Sequence, residues 1–188
     1  MKYLITTVIA LTVAVYSNMA FAWDAGRPYL KSSVGQFTYD GATSGYINGV
    51  FVEIDDDTIG LDASAGYPFS DYVAIEGGVF YLTEADWRAS VGSLSIDGTV
   101  DGYGGNASTV LRLPLGDSFG ILGKLGVYFW EVEATVTGTN ISAEDDGWDL
   151  LAGVGADFKI NDSFAIVLGY DHYNDAGQTA YLGIRFNP

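Results

Sequence analysis

Residues 152–170 read Ala152-Gly153-Val154-Gly155-Ala156-Asp157-Phe158-Lys159-Ile160-Asn161-Asp162-Ser163-Phe164-Ala165-Ile166-Val167-Leu168-Gly169-Tyr170. Ala152, Val154, Ala156 and Phe158 alternate with smaller or polar residues, and Phe164, Ile166, Leu168 and Tyr170 resume the alternation beyond Asn161-Asp162-Ser163. A period of two is the signature of a strand with two unlike faces. Asn, Asp and Ser between two such runs supply turn chemistry, because their side chains bond nearby backbone groups. The stretch is a β-hairpin.

The turn recurs twice upstream, as Phe69-Ser70-Asp71-Tyr72-Val73-Ala74-Ile75 and Leu115-Gly116-Asp117-Ser118-Phe119-Gly120-Ile121, with Pro68 and Pro114 just before them. The three aspartates are spaced by 46 and 45 residues, the length of one hairpin plus one long connection. Around the first turn, Ile59, Leu61, Ala63, Ala65 and Tyr67 share a face, continued by Val73, Ile75, Val79 and Tyr81. Around the second, Ala107, Thr109, Leu111 and Leu113 lead to Ile121, Leu125, Val127 and Phe129. A first segment near residues 29–40 and a last near 178–186 complete eight strands. The last has Ala180, Leu182, Ile184 and Phe186 against Thr179, Tyr181, Gly183 and Arg185; the faces of the first are not assignable. Polar connections are expected at residues 41–57, 83–102 and 131–147, and a short one near 172–177.

The N-terminus sets the compartment. Lys2, the apolar run Tyr3 to Val15 and Ala20-Phe21-Ala22 have the layout of a cleaved export signal. We therefore expect a leader over residues 1–22 and one mature domain over 23–188. Thirteen apolar residues are too short for a membrane helix, which needs ~20, and no later stretch is longer. A membrane-spanning form must then be a closed barrel. With 8 basic and 24 acidic residues, the chain is a poor partner for nucleic acid. It has no cysteine, which excludes disulfide and thiol chemistry. Its 25 glycines and 27 aromatic residues (4 Trp, 13 Tyr, 10 Phe) fit a β-rich fold with much to bury.

Alternation alone does not say which face meets water. A soluble barrel would bury its apolar face and carry Lys and Glu outside. Here the other face carries mainly Gly, Ser and Thr with single charges, while Tyr67, Tyr81, Phe129, Phe158 and Tyr170 recur near strand ends like an interfacial girdle. The expected fold is all-β: an eight-stranded antiparallel up-and-down transmembrane β-barrel, apolar outside, with short turns at one end and longer loops at the other.

The run Leu113 to Phe119, then Gly123-Lys124-Leu125-Gly126-Val127 with Trp130, resembles the OmpA-like transmembrane domain family. So do Ala152 to Phe158 and the closing Tyr181-Leu182-Gly183-Ile184-Arg185-Phe186. The resemblance spans about residues 58–186 and implies an outer-membrane barrel with variable loops and roles in envelope integrity, adhesion or host contact. It places interior charges at Glu76, Lys124 and Asp157, and an arginine where Val167 stands. Large members carry a periplasmic wall-binding domain. This chain stops at Pro188, so no wall anchoring is expected. Members without that domain usually end on the aromatic itself, whereas Asn187 and Pro188 follow Phe186 here.

Three sets of residues are candidates for function. Glu76, Arg112, Lys124, Asp157 and Arg185 fall on the inward face, and opposite charges confined in a lumen should pair. They can form a gate or a structural plug; the plug is the plainer reading, because side chains normally fill eight-stranded lumens. Glu53, Asp55, Asp56 and Asp57 in the first loop, and Glu144, Asp145, Asp146 and Asp149 in the third, are oxygen-rich. They lack EF-hand spacing and read as solvated tips, so no metal site is expected. His172, the sole histidine, has Asn174 where small lipid A deacylases of the outer membrane carry serine, which leaves no nucleophile and no catalytic residue.

The expectation is a non-enzymatic outer-membrane barrel without cofactors, displaying acidic loops and serving envelope structure or surface attachment. Its partners would be outer-membrane lipid and lipopolysaccharide, the barrel-assembly machinery through the strand ending at Phe186, and a host or surface ligand at the loops. A narrow porin-like ion channel and a lipid A-modifying hydrolase are the alternatives.

Overall fold

The computed structural model describes residues 25–39, 44–47, 50–54, 57–91, 94–139, 141–174 and 176–188. The expected leader, together with Asp55 and Asp56, lies outside them. The described strands, in chain order, are β1 (Tyr29–Tyr39), β2 (Ser44–Ile47), β3 (Val50–Ile54), β4 (Asp57–Pro68), β5 (Val73–Val91), β6 (Leu94–Pro114), β7 (Phe119–Val136), β8 (Ser142–Lys159), β9 (Phe164–Tyr173) and β10 (Gly177–Phe186). Each of β4 to β9 pairs antiparallel with its successor, and β1 pairs with both β10 and β4. Eight strands thus close into a barrel, and β2 and β3 form a hairpin that adds to the outer part of β5.

The three similar turns are locked in different ways. In the first, Ser70 Oγ accepts from the Val73 amide at 3.1 Å. In the third, Asn161 Oδ1 accepts from the amides of Ser163 and Phe164 at 2.9 Å each. In the second, Gly116 takes φ +87°, a conformation that glycine adopts without steric cost. Each turn also has a backbone bond across it: Phe69 to Val73, Leu115 to Phe119, and Ile160 to Phe164.

Outside, the middle of the barrel is an apolar belt. Val79, Leu125, Leu150, Val154, Leu168 and Ile184 are each more than half exposed. The girdle positions Tyr67, Phe129, Phe158 and Tyr170 are exposed as well, and Trp148 stands beside Phe129. A soluble protein rarely exposes so large a contiguous apolar surface; lipid is the solvent that such a belt fits.

Three expected loops are corrected. Residues 83–102 and 131–147 are largely strand: β5 runs to Val91, β6 starts at Leu94, β7 runs to Val136 and β8 starts at Ser142. The expected first loop likewise contains β2, β3 and the first residue of β4. The ladder continues to Gly98↔Val136 and Thr135↔Ser142, broken only by a shift between Leu82 and Ala85. The physical reason is an inverted alternation. In Glu131-Val132-Glu133-Ala134-Thr135-Val136 the carboxylates face outward and the apolar residues inward, opposite to the belt below, because above the membrane the outer face meets water. A paired backbone satisfies its own hydrogen bonds whichever face is wet.

Candidate functional site in the barrel lumen

Parity along each strand sends alternate side chains into the lumen, and there the charges assemble in two tiers. In the lower tier, Asp157 on β8 is buried between two guanidiniums. Arg185 Nη2 lies 2.5 Å from its Oδ2, and Arg112 Nε lies 3.1 and 3.0 Å from its two oxygens. In the upper tier, Glu76 on β5 accepts from Lys31 Nζ at 2.6 Å and from Tyr29 Oη at 3.1 Å. Lys124 Nζ lies 3.5 Å from Glu76 and 2.9 Å from Asp171, while Lys31 lies 3.7 Å from Asp62. All five of the expected interior charges are therefore in the lumen. Glu76 and Arg112 sit in different tiers, with Glu76 facing two lysines.

Sequence reasoning missed Lys31, Asp62 and Asp171 as members of this network. Asp171 follows the inward residues Ala165, Val167 and Gly169 by parity, which is the signal that could have found it. Lys31 lies on β1, whose inward face mixes Tyr29, Lys31, Ser33 and Phe37 and shows no alternation.

Interior glycines make room for interior rings. A Cβ at Gly169 would lie 2.2 Å from Tyr181 Cζ, and one at Gly66 would lie 2.0 Å from Tyr29 Cζ. Tyr29 in turn packs with Ala74, Val110, Leu122 and Val167 in a small apolar cluster. At the level of the charges lies a cavity of about 20 Å³, room for about one water. Paired and packed side chains fill the lumen around it.

Above it the lumen opens into a cavity of about 270 Å³, walled by rings that include Phe37, Phe80, Tyr128, Trp130 and Tyr173. Tyr173 meets Phe37, Phe80 and Tyr128 at centroid distances of 5.8, 6.1 and 5.0 Å, so rings from four strands converge. Tyr128 Oη donates to the Asn174 carbonyl at 2.8 Å and ties this wall to the β9–β10 connection.

The remaining candidates lie elsewhere. His172 is exposed on the outer face, opposite Gln178 and Ala152 in register. Asn174 Nδ2 donates to both Asp149 oxygens at 3.2 Å. Asp57 is corrected from loop tip to strand residue: it accepts from Gln36 and Thr38 of β1 at 2.7 Å each. Glu144, Asp145, Asp146 and Asp149 likewise belong to β8, and Glu53 to β3. Glu133 stands opposite Asp101 on one side and Glu144 on the other, and Glu131 opposite Asp146, which gives rows of like charge on the outer face. The Asp101 carboxyl is raised above its usual range, first by partial burial, then by Glu133 and Glu84. At the opposite end the hydrogen bond and charge of Lys159 hold Asp162 low. Among the described residues no group of three or more His, Asp or Glu is arranged to hold a metal ion.

Comparison with known proteins agrees with this architecture. Residues 6–187 match the family described as outer membrane protein beta-barrel domain. The chain is 26% identical over 190 aligned positions to outer membrane protein A of Serratia marcescens, covering 95% of this chain and 52% of that protein. It thus spans about half the length of the curated relatives it matches. Among solved structures, OprG of Pseudomonas aeruginosa is similar with TM-score 0.59 and 14% identity, covering 88% of this chain and 96% of OprG. Ail, the attachment invasion locus protein of Yersinia pestis, is similar with TM-score 0.56 and 21% identity, covering 86% of this chain and 99% of Ail. These two likenesses are of fold. With a closed eight-stranded barrel, an apolar outer belt and a family match over nearly its whole length, the chain belongs to the outer membrane β-barrel protein family of the Gram-negative outer membrane.

Proposed function

We propose that this protein is a non-conducting, non-enzymatic barrel that presents a rigid acidic sheet at the cell surface, serving envelope structure and attachment. The observation that carries this reading is strand length. Strands β5 to β8 have 18 to 21 residues, whereas crossing the membrane needs only ~9–11. Nearly half of each strand is left to stand beyond the belt. In barrels of this kind the long connections face outward and the short turns face the periplasm. The projecting face carries Asp101, Glu131, Glu133, Glu144 and Asp146.

That charge points to a basic partner. Ail has been solved with a heparin analogue, sucrose octasulfate, a polyanion; an acidic sheet would repel such a ligand and attract a cationic protein surface. Below the sheet, the belt contacts lipid and lipopolysaccharide, and the closing strand to Phe186 is the signal for the assembly machinery. The outward position of His172 and the engagement of Asn174 with Asp149 favour no hydrolase. The test is to replace Asp101, Glu131, Glu133, Glu144 and Asp146 together with Asn or Gln and to measure attachment of expressing cells to basic and to sulfated surfaces. Loss on the basic surface alone supports the reading. Attachment that is unchanged on the basic surface, with the barrel still folded, contradicts it.

A further inference from the structure

The two tiers of lumen charge are not equally balanced. The upper tier holds three carboxylates, Asp62, Glu76 and Asp171, against two ammonium groups, Lys31 and Lys124. Glu76 lies within 3.5 Å of both lysines. The surplus negative charge therefore falls on Asp62 and Asp171, and both line the 270 Å³ cavity above. Asp171 Oδ2 accepts from Lys124 Nζ. Asp62 uses Oδ1 for Ser33 at 3.4 Å and Ser64 at 3.1 Å, and its side chain remains 20% exposed. No described residue bonds its Oδ2. The Tyr39 hydroxyl, on the same cavity, is buried without a partner among the described residues.

We propose that this cavity binds a small amphiphilic organic cation, an aryl- or alkylammonium, with its apolar body among the rings and its ammonium directed at Asp62. Three features select that class. Ring faces attract a cation through their quadrupole, and Phe37, Phe80, Tyr128 and Tyr173 converge from four strands. A carboxylate with an available oxygen stands at the floor, and the ammonium that lines the cavity, Lys31, is already held by Glu76 at 2.6 Å and Asp62 at 3.7 Å. The net charge of −16 and the acidic outer sheet raise the local concentration of cations at the mouth. The volume is near the lower end for small-molecule pockets, ~300 Å³, which limits the ligand to one ring or a short chain. Lys31, Asp171 and Tyr181 line both this cavity and the 20 Å³ one below, so the ligand would rest on the plug without passing it.

The experiment is titration calorimetry of the detergent-folded chain, against empty micelles, with three probes of like size: 2-phenylethylammonium, 2-phenylethanol and 3-phenylpropanoate. The expected result is saturable binding of the ammonium at least about ten-fold tighter than the alcohol or the carboxylate, the scale of one buried cation–π or charge contact. Asp62→Asn should bring the ammonium down to the level of the alcohol and leave the alcohol unchanged. Should Asp62→Asn fail to fold, the ranking of the three probes on the wild-type chain decides alone. Equal affinity for the three, tighter binding of the carboxylate, or no saturable binding of the ammonium overturns the proposal. So does ammonium binding that Asp62→Asn leaves unchanged.

Discussion

Arg185 and Asp157 meet at 2.5 Å inside the lumen, each almost wholly removed from solvent. Asp157 also holds Arg112, so one carboxylate serves two guanidiniums. Breaking a buried pair costs ~3–5 kcal/mol when one charge is left behind, and lumen water should reduce this. Asp157→Ala takes the shared carboxylate from two guanidiniums, whereas Arg112→Ala leaves a carboxylate that still has Arg185. Thermal unfolding of the detergent-folded barrel should therefore drop further for Asp157→Ala than for Arg112→Ala.

The tier structure makes a second, sharper prediction about coupling. Arg112 and Asp157 are in contact, whereas Arg112 and Glu76 sit in different tiers, with Tyr29 between them: its hydroxyl donates to Glu76 and its ring lies 5.7 Å from the Arg185 guanidinium. Changes that share no partners add within ~0.5 kcal/mol, and changes in one network do not. Arg112→Met with Asp157→Leu should cost clearly less than the sum of the single changes. Arg112→Met with Glu76→Gln should cost about the sum. Denaturant titration of the three single and two double variants checks both, and strong coupling of Arg112 to Glu76 would show that the tiers act as one.

Much of this was legible in the sequence. Strands β4 to β10 follow from strict alternation, and the three turns from Asp71, Asp117 and Asp162. Parity placed Glu76, Arg112, Lys124, Asp157 and Arg185 on the inward face, and the family resemblance pointed to three of them, Glu76, Lys124 and Asp157. What was hidden has physical causes. β1 has polar residues on both faces, with Lys31 and Ser33 inward and Ser32, Gln36 and Thr38 outward, so its register depends on pairing with β4 and β10. The upper hairpins looked like loops because their alternation reverses sign where the outer solvent changes from lipid to water. Asp171 was obscured by its neighbours Tyr170, His172 and Tyr173, which read as a strand end.

Paired strands resist proteolysis and turn tips do not. Protease on intact cells should cut at residues 137–141, between β7 and β8, and spare the paired stretches 131–136 and 142–147. Mass mapping of the fragments shows which. Cuts near Asp71, Asp117 or Asp162 would place the short turns outside.

Acid should tighten the outer sheet. The Asp101 carboxyl is raised by partial burial and by Glu133 and Glu84, so its folded value exceeds its unfolded one. Its favourable contribution is complete below the unfolded value, 3.8, and is lost as pH rises through the folded one. Amide exchange of β6 and β7 around Asp101, corrected for intrinsic rates, should slow on acidification through that window. In Asp101→Asn the pH effect should shrink.

His172 should be dispensable for lipid chemistry. His172→Ala is expected to leave the lipid A acyl pattern of expressing cells unchanged by mass spectrometry. A pattern that depends on His172 would make the protein a hydrolase.

Two tiers of paired charge should keep the lumen shut, and current through the purified barrel in a planar bilayer reads this out. The wild-type protein should show no steady open state, and Asp157→Ala or Glu76→Gln should introduce openings. A large, stable conductance in the wild type, insensitive to Glu76, Arg112, Lys124 and Asp157, would contradict the plug and establish a pore.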